Sequence, residues 1–206
     1  MNEKNIFIKI LKLDKNIYFE LIGNQTNIQK GIAIYLATTI LSTLGVGKLF
    51  QSTVEFLNTN ISLVSQDLPS EELSLIRQLI VEFELLNSQY NDTGTLLTTL
   101  FNSIVSGVIV TGIMFFLLKY LFRKFPKYSD LIIVFCFSSV PSFLFGISLF
   151  SSSFLVQIIL LLVIGVYGLA TLGSGLKQIY SLRGMEVLLL LVTVFFGTSI
   201  ASSLFV

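Results

Sequence analysis

Few side chains in this sequence could do chemistry, and where they fall is informative. There is no histidine, and Cys136 is the only cysteine. Neither an intrachain disulfide nor a Cys/His zinc site can therefore be assembled. Cys136 lies in an apolar run and reads as a small buried hydrophobe. Adjacent carboxylates occur at Glu71 and Glu72, but in a polar acidic segment with no histidine to complete a site. No phosphate-cradling glycine loop, Ser-His or Cys-His pair is present. The polar residues inside the apolar runs are Asn102, Gln157, Tyr167 and scattered Ser and Thr. Asn102 and Gln157 are expected to make helix-to-helix hydrogen bonds, with the lining of a pathway as the alternative. Asn60-Ile61-Ser62 and Asn91-Asp92-Thr93 match the glycan acceptor pattern, which an Asn- and Ser-rich chain produces by chance. The expectation is a protein that is not an enzyme, with no cofactor and no metal. Without a basic stripe, nucleic acid is not an expected partner either.

The elements that carry these residues follow from one tract. Leu131 to Leu176 is forty-six residues without a charged side chain, bracketed by Asp130 and Lys177. As one helix it would rise about 69 Å, against a bilayer hydrocarbon core of about 30 Å. It must therefore fold back as a two-helix hairpin, with its turn at Ser151-Ser152-Ser153. Only 12% of the chain is charged, about half the usual share of a soluble domain. The reading is an all-α, polytopic membrane protein, a bundle of five transmembrane helices with an N-terminal amphipathic helix. The spans are placed at about 31–47, 96–118, 131–150, 154–173 and 187–206. Residues 1–30 form a cytoplasmic amphipathic segment and 48–95 an extracytoplasmic loop. Within that loop Leu73, Ile76, Ile80 and Phe83 recur at helical spacing, which predicts an acidic helix lying as a lid on the bundle. With about thirty polar-to-amphipathic residues ahead of the first long apolar run, a cleaved signal is not expected.

Several positions are assigned to helix packing. Ser103, Gly107 and Thr111 are spaced four apart in the second span, as are Thr193, Gly197 and Ala201 in the fifth, and small-residue faces let helix backbones approach closely. Gly165 and Gly168 are assigned the same role in the fourth span. Hydroxyls of Thr38, Thr39, Ser42 and Thr43 in the first span are expected to bond back to their own backbone. Pro141, near the middle of the third span, must break one helical hydrogen bond and bend the helix. Ser138 and Ser139 stand ready to satisfy the freed carbonyls. The kink is read as a fixed packing feature, with a hinge as the alternative.

In the N-terminal segment, Ile6, Phe7, Ile10, Leu11 and Leu13 share one helical face, and Lys4, Lys9, Lys12 and Lys15 the other. That suits a helix lying in the headgroup region or, equally, one packed on the protein's own end. The remaining membrane-surface basic residues are Lys119, Arg123, Lys124, Lys127, Lys177 and Arg183. With the N-terminus inside, eleven of the thirteen Lys and Arg fall inside, leaving only Lys48 and Arg77 outside. The positive-inside rule thus predicts a multi-pass protein with N-terminus cytoplasmic and C-terminus extracytoplasmic, and the Lys, Asn and Ile bias of the chain suits an AT-rich bacterial genome and so a bacterial cell membrane.

The layout resembles the Yip family (Ypt/Rab-interacting proteins), in its compact prokaryotic-type branch. The similarity is carried by Leu11-Lys12-Leu13-Asp14, Tyr18-Phe19-Glu20 and Gly31-Ile32-Ala33. It continues in Lys119-Tyr120-Leu121-Phe122, in Phe137-Ser138-Ser139-Val140-Pro141, and in Gln178, Tyr180 and Arg183 before the last apolar helix. The resemblance implies five spans and a cytoplasmic N-terminus. Eukaryotic members carry an acidic-Leu-Tyr-Gly-Pro motif and a long N-terminal domain, both lacking here, so a Rab-type GTPase partner is not carried over. The expected function is a non-catalytic membrane organiser or partner-binding scaffold in contact with the lipid bilayer, other membrane proteins or copies of itself. A permease or channel component, or an accessory subunit of a larger complex, is the alternative.

Overall fold

The structure is a computed structural model, and it describes residues 3–14, 16–64, 69–90 and 93–203. Among these the fold is entirely helical: α1 (Glu3–Leu11), α2 (Ile17–Leu21), α3 (Gln25–Val64), α4 (Ser70–Tyr90), α5 (Thr93–Phe116), α6 (Tyr128–Ser138), α7 (Phe145–Ser148), α8 (Phe154–Tyr180) and α9 (Gly184–Ser203). Four helical stretches are long and apolar enough to cross a membrane: Gln25–Ile61, Gly94–Leu121, Tyr128–Ser148 and Phe154–Tyr180. The protein is thus an all-α membrane bundle. The fifth expected span corresponds to α9, whose described apolar part, Gly184–Gly197, rises only about 21 Å.

The greatest departure from expectation is α3. Asn24 opens it, its Oδ1 accepting the Thr26 backbone N–H at 3.1 Å, which is N-cap chemistry. No proline follows for forty residues, so the helix runs on for about 60 Å, far past the expected limit at 47. Its partners show how much lies in the bundle. A Cβ on Gly31 would meet the Cys136 Cβ at 3.1 Å, and Ser52 meets Gln157 at 2.6 Å. From 31 to 52 the helix rises about 32 Å, one hydrocarbon thickness. Lys48 therefore falls within the packed length of the helix, with its ammonium donating to Gln51 Oε1 at 3.0 Å. The helix does not end at this lysine, where the first span was expected to stop.

The segment expected as a loop, 48–95, is helical in its described residues apart from Pro69. The outer part of α3, from Phe50 onward, pairs with α4, where Phe50 and Phe83 approach to 5.8 Å between ring centroids. Ile80 is buried in that contact and Leu73, Ile76 and Phe83 are partly buried. The apolar stripe is the predicted one, and it packs along the outer part of α3, beginning at Phe50.

The hairpin turns at 151–153, as the serine run suggested. Gln157 pins it: the side chain is 2% exposed, accepts from Ser52 Oγ and donates through Nε2 to the Ser151 carbonyl at 2.7 Å. The third span is discontinuous. α6 ends at Ser138, Pro141 enters a 3₁₀ turn (Val140–Leu144), and α7 finishes the crossing. Proline has no N–H and cannot complete an α-helical ladder, and the exposed carbonyls find hydroxyls. Ser138 Oγ donates to the Phe135 carbonyl at 2.6 Å and Ser139 Oγ to that of Cys136 at 2.7 Å. Thr171 of α8 donates to the Ser138 carbonyl at 2.9 Å, and Thr38 of α3 to Ser139 Oγ at 2.9 Å. A break held by two neighbouring helices is a braced corner.

Candidate functional site: an inserted N-terminal wedge

The feature that stands apart from a plain bundle is the α1–α2 pair. α1 ends in a Schellman arrangement: Leu13 takes the left-handed conformation (φ 51°), its N–H reaches the Ile10 carbonyl, and Asp14 N–H reaches that of Lys9, both at 2.9 Å. This motif satisfies two of the orphan carbonyls at a helix end and leaves the Leu11 carbonyl unmet. Tyr167, near the middle of α8, supplies its hydroxyl to that carbonyl. Gln178 Nε2 donates to the Asp14 carbonyl at 3.0 Å, and Asn27 Nδ2 to the Leu21 carbonyl at the end of α2 at 2.9 Å. Three side chains of the bundle thus complete the two short helices. Helix-end carbonyls buried away from water need such partners.

These partners also set the depth of the pair. Tyr167 lies nine residues before the end of the uncharged tract at Leu176. Phe7 meets Phe143 edge-on at 5.5 Å, and Phe143 is twelve residues past the tract's other end at Leu131. Tyr18 packs on Gly175, where a Cβ would stand 3.1 Å from its ring and 2.8 Å from Val134. Glycine is required there by close approach. Ile6, Ile10, Ile17, Tyr18 and Leu21 are all buried. Of the two placements open for α1, the structure shows packing on the protein's own end, and it goes deeper than a cap. The pair is wedged between α8 and the broken third span.

Lys9 is itself 35% exposed. Its ammonium reaches both Glu20 carboxylate oxygens, at 2.9 and 2.8 Å, so the two helices cancel each other's charge. That hydrogen bond, with Glu20 and Asp14 nearby, holds the Lys9 pKa above its ordinary value. Ile8 and Phe19 face outward, 49% and 52% exposed, and give the wedge an apolar outer surface. The contact is not fully satisfied: Tyr18 Oη, Tyr180 Oη and Gln178 Oε1 are buried without a protein partner among the described residues. Buried unpaired polar atoms cost about 1–3 kcal/mol each, so the wedge is held less firmly than the braced corner.

The other basic positions gather at the same end of the molecule. Lys119 lies over the Phe115 and Tyr120 rings, at 5.8 and 5.4 Å, in the π-helical turn Leu117–Leu121 that closes α5. Lys12, Arg123, Lys127, Lys177 and Arg183 are exposed and Lys124 is partly so. Lys15 and the side chain of Lys4 lie outside the described residues.

The packing assignments divide. Gly107 meets Phe135, at 3.1 Å from its Cβ position. Thr111 bonds the Tyr128 hydroxyl at 2.9 Å, and the Ser103 carbonyl accepts from Tyr35 at 2.9 Å. That face joins α5 to α3 and α6. Gly197 meets Ile113 at 3.3 Å. Thr193 is exposed and bonds its own helix at the Leu189 carbonyl, while the side chain of Ala201 lies outside the described residues. Gly165 and Gly168 do not pack: nothing stands within 4 Å of either Cβ position. They floor an open groove of about 350 Å³ beside Ser138, Ser139 and Ser142. The glycines that do accept close neighbours in α8 are Gly173, against Val187 at 3.1 Å, and Gly175. Asn102 is exposed, unlike Gln157. Among the described residues no cluster of three His, Cys, Asp or Glu could hold a metal ion.

Comparisons with protein-family models, with curated proteins and with solved structures found no match. The likeness to the Yip family rests on the sequence motifs alone.

Proposed function

We propose that the protein is a non-catalytic organiser of its membrane, of the general Yip type. In this reading it has five spans, a cytoplasmic N-terminus, and a wedge that widens the half of the bundle lying in the inner leaflet. The observation that carries it is the Tyr167 hydroxyl on the Leu11 carbonyl, which ties a basic amphipathic helix alongside the uncharged tract. The outward Ile8 and Phe19 support it, because a wedge that displaces lipid needs an apolar outer face. So does the clustering of Lys and Arg at this end, which suits an anionic leaflet.

A second reading, a permease, is favoured by one feature, the serine-lined groove at the broken third span, since discontinuous helices line many transport sites. Reconstitution into anionic vesicles separates the two. An organiser shifts the vesicle diameter distribution downward in cryo-EM images as protein is added, loses that effect with Ile8→Gln and Phe19→Gln combined, and leaves an entrapped fluorescent solute in place. Unchanged diameters with rapid solute loss would overturn the proposal in favour of the permease.

A further inference from the structure

At the end of the molecule away from the wedge, a cavity of about 530 Å³ opens where α3 leaves the bundle beside the serine corner. That is within the size range of small-molecule sites. One wall is a single face of α3, with Ser52, Glu55, Phe56 and Asn60 at helical spacing. The floor is aromatic: Phe56 stacks on Phe154, with centroids 4.9 Å apart and planes at 20°, and Phe56 remains 47% exposed. The buried Gln157 bridge to Ser52 fixes the two walls against each other. Glu55 is exposed on this wall, held from one side by Gln51 Nε2 at 3.0 Å. No Lys or Arg among the described residues pairs with it.

We propose that this cavity binds the ammonium headgroup of a phospholipid in the adjoining leaflet. The Glu55 carboxylate on this wall attracts a cation and repels an anionic headgroup by charge, and the outer ring faces, the inner ones being covered by the stack, attract a cation further through their quadrupoles. The site stands at the level of Ser52 and Gln157, the upper limit of the α3 span. Leu155 at the start of α8 and Ile159 one turn on, 65% and 51% exposed, edge the cavity, and Leu162 and Val166, 62% and 69% exposed on the same helical face, continue it as an apolar strip toward the hydrocarbon layer. The ligand that matches a polar cation-binding mouth above an apolar strip is an amphiphile. The inference uses the membrane assignment but not the wedge.

Native mass spectrometry of the full chain, released from nanodiscs of equal phosphatidylethanolamine and phosphatidylglycerol, tests it directly. The wild type retains the ammonium lipid over the anionic one on the order of 10-fold, and Glu55→Gln and Phe56→Leu each bring that ratio close to one. Thermal midpoints of both variants, matched to the wild type, show that the fold is kept. Equal retention of the two lipids by the wild type, or an undiminished preference in Glu55→Gln, overturns the site. Displacement by tail-less glycerophosphoethanolamine at the same concentration as the lipid overturns the lipid assignment and makes the ligand a soluble ammonium compound.

Discussion

Replacing Tyr167 with phenylalanine removes one oxygen and nothing else, and it should loosen the whole N-terminal wedge. The hydroxyl meets the Leu11 carbonyl, which the Schellman turn leaves without a partner. An orphaned buried carbonyl costs about 1–3 kcal/mol. In water that would be small beside the burial of Ile6, Ile10, Ile17, Tyr18 and Leu21. Within a bilayer, lipid tails are as apolar as those side chains and supply no hydrophobic drive, so polar latches hold much of the wedge in place. The opening equilibrium of residues 6–21 should shift by about 5- to 140-fold, at 1.4 kcal/mol per decade. Amide hydrogen exchange in anionic nanodiscs reads this directly. Exchange across α1 and α2 should accelerate together in Tyr167→Phe. Tyr35→Phe removes a comparable bond, to the Ser103 carbonyl, and should leave the wedge untouched. Exchange in α1 and α2 within twofold of the wild type would refute the argument that this bond seats the wedge.

Other consequences are equally direct. Gly45→Ala places a Cβ 2.8 Å from both Phe145 Cδ1 and Ser148 Oγ and should cost about 1–3 kcal/mol by overpacking. Gly112→Ala meets nothing within 4 Å and should gain about 0.5–1 kcal/mol, so thermal denaturation in detergent should move the two in opposite directions. Thr171→Val strips the Ser138 carbonyl of its cross-helix donor and should cost about 1–3 kcal/mol in SDS titration. Pro141→Ala leaves the Thr38 and Thr171 braces in place and should be the milder of the two. Lys9 titrates above its ordinary value because its protonated form is held by Glu20. Its contribution is therefore complete below a pH of 10.5 and is lost as pH climbs through the raised value. Intrinsic-rate-corrected exchange of α1 should stay flat across neutral pH and rise only in strongly alkaline solution, a rise that Lys9→Gln abolishes.

The sequence by itself determined the fold class, the hairpin and its serine corner, and the stripe on α4. Each follows from a one-dimensional pattern: a charge-free length, a turn-forming run or a helical period meets the fixed dimensions of helix and bilayer. It also determined that Pro141 would break its helix and that Ser138 and Ser139 would bond the backbone there, since those partners lie within three residues. What it did not show was how far the first helix runs. Lys48 looks like a terminus in the chain, and only its neighbours show that the helix and the bundle continue past it. Gly165 and Gly168 were indistinguishable from Gly173 and Gly175, because a glycine's role depends on what stands opposite. The wedge was decided wholly by tertiary structure. The Leu11 carbonyl finds Tyr167, 156 positions along the chain, and the amphipathic pattern of α1 fits a headgroup layer as well as a protein cleft. Only the packed bundle supplies the cleft, and with it the donors that let a charged helix enter.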